Sequence, residues 1–105
     1  MTTYGTALTA LADPSRRTVF EMLAGSESTV GVLADRLPIS RPAVSQHLKI
    51  LKEAHLVRVR PNGTRRVYSL DPDGLSAVRS YFENFWNAAL ASYDAAVRES
   101  QGEKR

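Results

Sequence analysis

The feature that most constrains this 105-residue chain is a change of hydrophobic period after His55. Upstream, Val44, Leu48 and Leu51 recur at helical spacing. From Val57, apolar and charged residues alternate as Val57, Arg58, Val59, Arg60, and again more loosely from Arg66 to Leu70. Pro61-Asn62-Gly63-Thr64 stands between the two runs. Asn-Gly accepts the positive φ angles of a two-residue type I′ turn, so residues 56–70 are expected to form a β-hairpin in an otherwise helical chain.

Helix starts are marked three times by the same device. Asp13-Pro14, Ser40-Arg41-Pro42 and Asp71-Pro72 each set a capping side chain ahead of a proline in the first turn, where proline loses no useful donor. They open the second, fourth and fifth helices. The first helix is expected over Tyr4 to Leu11. The second runs through Val19, Phe20 and Leu23 and is expected to end at Gly25 as a left-handed cap. A Ser/Thr cluster at Ser26 to Thr29 precedes a short third helix striped by Val30, Leu33, Ala34 and Leu37, which breaks at Pro38-Ile39. The fifth spans residues 71–100, and 101–105, QGEKR, are expected to be a flexible tail. Five helices with a hairpin between the fourth and fifth define a mainly α winged helix, a single domain over residues 1–100.

Composition narrows the function classes. With no cysteine, disulfide frameworks, thiolate metal sites and cysteine nucleophiles are excluded. The N-terminus lacks a basic segment followed by an apolar run, and no stretch of about 18 apolar residues occurs, so a soluble cytoplasmic protein is expected. The net charge of +3 is unevenly spread: residues 41–66 hold seven basic residues against Glu53 alone, a net of +6, and the rest of the chain is −3. Such asymmetry fits either a polyanionic partner or a solvated basic surface.

The fourth helix favours the partner. Val44, Leu48, Leu51 and His55 fall on one face, and Pro42, Ser45, Gln46, Lys49 and Glu53 on the other. Residues 29–54 thus read as a helix-turn-helix whose second helix presents Arg41, Ser45, Gln46 and Lys49 to the DNA major groove. Arg58 and Arg60 share one strand face, and Arg65 and Arg66 flank the tip, fit to follow a phosphate backbone or enter a minor groove. Charges that only keep an edge hairpin soluble are the plainer reading, which leaves the basic helix beside them unexplained. His47, next to the core face, is expected to pack or touch a phosphate, and His55 to be a packed or helix-terminal imidazole. Ser45 and His47, two apart on a helix, do not face each other, and no acid, metal or glycine-rich phosphate loop completes a site, so no enzyme is expected.

In the last helix, Leu75, Val78, Phe82, Phe85, Ala89, Tyr93 and Ala96 recur at three- and four-residue spacing beside Trp86, Leu90 and Val97. About 28 residues span roughly 42 Å, more than a small core can cover. Part of the stripe is therefore expected on a second copy, paired with the first helix through Tyr4 and Leu8 in a twofold dimer. Phe82, Phe85, Trp86 and Tyr93 read either as plain core or as the lining of a small-molecule effector pocket.

The run LADPSRRTVFEMLAG, followed by LADRLPISRPAVSQHLKILKEAHLVRVRPNGTRRVYSLDP, resembles bacterial transcriptional regulators of the ArsR/SmtB family over roughly residues 6 to 97. The S-x-x-x-x-S-Q-H-L-K-x-L run and the hairpin carry most of the likeness. A subgroup ending in YxLDPxGL…FW matches at Tyr68 to Leu75 and Phe85-Trp86. The resemblance implies a homodimeric autorepressor on an imperfect palindrome, with base-reading positions carried onto Arg41, Pro42, Ser45 and Gln46; a nonspecific nucleoid-type binder is the alternative. Metal-sensing members use cysteines in the third helix or histidines and carboxylates in the last. Here Ser28 to Val32 holds no cysteine and no histidine follows His55, so zinc, arsenite and cadmium are not expected effectors. No cofactor is expected.

Overall fold

The structure, a computed structural model, describes residues 4–103, with side-chain surroundings for residues 5–101. The chain forms α1 (Tyr4–Ala12), α2 (Pro14–Gly25), α3 (Val30–Arg36), α4 (Arg41–Glu53), β1 (Val57–Asn62), β2 (Arg65–Leu70) and α5 (Pro72–Glu103). The five helices and the antiparallel hairpin between α4 and α5 are those expected. Each capping side chain does its work: Asp13 accepts from the Arg16 amide, Thr29 from Val32, Ser40 from Ala43 and Asp71 from Asp73.

The Asp13 cap gives a pH-dependent contribution to stability. The Arg16 amide bond, helped by the Arg16 and His47 charges, holds its carboxyl below the usual carboxylate range. A depressed carboxylate stabilises above its unfolded value and loses that contribution as pH falls through the folded one. Asp13→Asn keeps a cap but cannot titrate. We expect wild type to lose more thermal stability than this variant when the pH drops from 7 to 3; parallel losses would remove the cap from the acid response.

Helices α1 to α4 enclose one core. Val19 of α2, Leu33 of α3 and Val44, Leu48 and Leu51 of α4 are buried with Leu56 and Val57, and α1 closes it with Ala7 and Ala10. The α4 terminus turns sharply. The Leu56 amide donates to the Leu51 carbonyl and the His55 amide to Lys52, both at 3.0 Å, with His55 at φ +60°. This is a Schellman motif, completed by the buried Leu51–Leu56 pair. His55 is therefore helix-terminal but exposed, not packed.

The hairpin turn sits one residue later than expected. Asn62 pairs with Arg65 as the last rung, leaving Gly63 and Thr64 as the loop, and only Gly63 takes a positive φ, +65°. That pattern is a type II′ turn, which needs glycine at its first position. Gly25 also differs: it stays helical, and Ser26 enters extended backbone at once, at φ −170°. The extension has a purpose, because Ser28 and Tyr68 exchange backbone hydrogen bonds of 2.9 and 2.7 Å, an antiparallel bridge that sets a third, one-residue strand beside the hairpin.

Helix α5 has 32 residues and stretches the molecule to 72 Å. It continues to Glu103, into the segment expected as tail; residues 104 and 105 lie outside the described part. Ala, Arg, Glu and Gln in its last turns are good helix formers. Leu75 and Val78, expected on the partner surface, are half-buried and pack in part against the chain's own core. Beyond them Phe82, Phe85, Trp86, Leu90 and Tyr93 are exposed, Trp86 by 59% and Tyr93 by 67%. Ala89 is half-buried, and Leu8 of α1 is exposed. Tyr4 opens α1, and its side chain lies outside the described residues. Among the described residues no helix is long and apolar enough to cross a membrane.

Candidate nucleic-acid interface

Burying Val44, Leu48 and Leu51 fixes the rotation of α4, and the opposite face follows from it. Arg41, Pro42, Ser45, Gln46 and Lys49 are all exposed along that face. The Ser40 cap and Pro42 in the first turn set the helix start, so Arg41 stands at the end where the backbone amides are unpaired. A groove of about 570 Å³ runs from α3 across this end to the wing, and Arg41, Ser45, Arg65 and Arg66 line it together. Four of the ten expected contact residues converge there, although α4 and the wing tip are separated in sequence.

Gly31 of α3, which sequence reasoning passed over, belongs to the same groove. It places the α3 backbone beside Arg41, whose guanidinium lies 3.4 Å from where a Cβ on Gly31 would stand, an ordinary van der Waals contact. Asp35 lines the groove too, an acidic residue the charge count did not single out.

The wing divides its arginines. Arg58 and Arg60 line a separate recess of about 310 Å³ with Glu27, Val59 and Ser69. An Arg60 guanidinium nitrogen lies 2.6 Å from the Glu27 carboxylate. Arg60, expected as a free phosphate contact, is thus already ion-paired. Glu27 carried no sequence signal because its partner is 33 residues away.

His47 does not share the exposed face. It is half-buried, and its buried Nδ1 has no hydrogen-bond partner among the described residues. A half-buried position supports packing against the helices around it. Among the described residues no cluster of three or more His, Cys, Asp or Glu side chains is placed to hold a metal ion.

Known proteins resemble this chain in sequence and in fold. The family model described as a helix-turn-helix domain matches residues 11–60. The solved structure of an ArsR-like transcriptional regulator from Rhodococcus sp. RHA1 superposes with a TM-score of 0.74 at 27% identity, covering 85% of this chain and 87% of that one. The transcriptional regulator Rv2034 of Mycobacterium tuberculosis is 56% identical over 94 residues, which is 90% of this chain and 87% of the relative. The chain belongs to the ArsR/SmtB family. The transcriptional repressor SdpR of Bacillus subtilis is a more distant relative, 36% identical over 74% of this chain and 87% of its own. As a winged helix-turn-helix member of the ArsR/SmtB family, the chain is a DNA-binding transcriptional regulator.

Proposed function

We propose that this chain is a homodimeric repressor that binds an imperfect palindrome in its own control region. The observation that carries the reading is the convergence of Arg41 and Ser45 with Arg65 and Arg66 around one groove. Bare aromatic residues along α5 support twofold pairing through the terminal helices, which would present two α4 helices to half-sites about one helical turn, roughly 34 Å, apart. Arg41 and Gln46 take base edges, since arginine bridges the two guanine acceptors and glutamine matches adenine's donor and acceptor. Ser45, Lys49, Arg65 and Arg66 hold phosphates and supply affinity more than sequence choice. Control by metal finds little support in the donor set, because the chain has no cysteine and its two histidines stand apart, His47 in the middle of α4 and His55 just past its end.

The test is fluorescence anisotropy with the upstream duplex and a scrambled one near physiological salt. Preference for the native duplex by about 10³ or more supports the reading, and equal binding supports a nucleoid-type role. Two variants separate the residue roles. Gln46→Ala should cost about 1–3 kcal/mol on the native site and relax base preference. Arg65→Ala should weaken binding to all duplexes and reduce the salt slope by about one. Equal effects of both on every sequence would refute this division.

A further inference from the structure

We infer that Glu27 is an internal competitor of DNA: its carboxylate holds Arg60 in the free protein and releases it to a phosphate when the wing engages. The inference rests on the wing reading above and names a positioning residue within it. Three observations lead there. Arg60 and Glu27 are paired at 2.6 Å, yet their side chains are 53% and 50% exposed, so the pair is open to exchange. Such exposed pairs contribute little on their own. A phosphate offers the same guanidinium an anionic oxygen acceptor of equal chemistry.

The second observation removes a purely structural role. The wing is already joined to the α2–α3 linker by the two Ser28–Tyr68 backbone bonds, and Leu56 accepts from the Asp71 amide at its base, at 2.9 Å. Glu27 adds charge where the position is already secured. Third, Arg58 and Ser69 share the recess with Glu27 and Arg60, so the carboxylate offsets part of the basic stretch of the wing. While paired, Arg60 adds no net charge to attract a duplex. Only full engagement, which brings a phosphate to the recess, draws it out.

Glu27→Gln retains a hydrogen-bond acceptor for Arg60 and removes the charge. We expect this variant to bind DNA about two- to fivefold more tightly per half-site, the range set by the strength of exposed ion pairs. Arg60→Ala should reduce the salt slope by about 0.9 per half-site, as loss of one phosphate contact does. In the Arg60→Ala background, Glu27→Gln should then have no further effect. The salt slope is a readout that a bracing role would not move. An unchanged or weakened affinity of Glu27→Gln overturns the inference. So does an equal gain with Arg60 absent, which would mean simple repulsion between Glu27 and DNA. Arg65→Ala measured alongside keeps the two levels apart: if its salt slope is also unchanged, the wing interface itself fails, whereas a reduced slope there with no Glu27 effect sinks only the exchange.

Discussion

Gly74→Ala is expected to destabilise the fold by about 3 kcal/mol, the upper range for forcing extra volume into a packed site. For a domain of this size that lowers the thermal midpoint by about 12 °C or more. A Cβ on Gly74 would lie 2.6 Å from the His55 carbonyl carbon and closer still to its oxygen, where real Cβ atoms essentially never come within 3.0 Å. Neither side can yield cheaply. The His55 carbonyl belongs to the Schellman turn, held by two 3.0 Å hydrogen bonds and the buried Leu56, and α5 is tied to the same corner by the Asp71 amide bond to Leu56. The contact fixes how α5 leaves the core, so the consequence reaches beyond stability. Gly25→Ala is the control: nothing lies within 4 Å of a Cβ there and the residue is helical, so it should gain about 0.5–1 kcal/mol. Equal midpoints for the two variants would show that α5 can shift to accept a methyl group.

The same corner shows where sequence reasoning stops. Helix starts were legible because Asp13, Ser40 and Asp71 act on amides two or three residues ahead. The rotation of α4 was legible because one apolar stripe permits one buried face. What escaped depends on groups far apart in the chain. The hairpin register follows from pairing Val57 with Leu70 and Val59 with Tyr68 over the core, which makes Gly63-Thr64 the loop although Asn62-Gly63 has suitable chemistry as well. Gly25 carries the residue type of a cap, yet the Ser28–Tyr68 rung pulls the next residues straight. His55 takes the left-handed position without being glycine, a role histidine fills more readily than most residues. Of the candidate interface, Arg41, Ser45, Gln46 and Lys49 were readable from the helical wheel. Glu27, Gly31 and Asp35 were not, because each matters through a neighbour from another element.

Trp86→Glu is expected to leave each protomer folded and to abolish its pairing, with the loss of DNA affinity following from the loss of pairing. Within the protomer the indole is 59% exposed, and it is in ring contact with Phe85, at 6.3 Å between centroids. The core of Val19, Leu33, Leu48 and Leu51 is built without it. A carboxylate there would have to lose its hydration against the apolar α5 surface of a second copy, among Phe82, Phe85 and Leu90. Burying an unpaired charge is one of the few single changes that costs several kcal/mol. Two joined reading helices bind as one unit, and separating them forfeits the effective concentration of the second half-site, worth about 10²–10⁴ in affinity. Light scattering should therefore report a monomer, circular dichroism a helical chain, and anisotropy a palindrome bound at least about 100-fold more weakly. A single half-site should be bound almost as wild type binds it, because Arg41, Gln46 and the wing are untouched. A dimer that survives Trp86→Glu would move the pairing surface off the middle of α5 and leave its exposed aromatic residues free for another occupant.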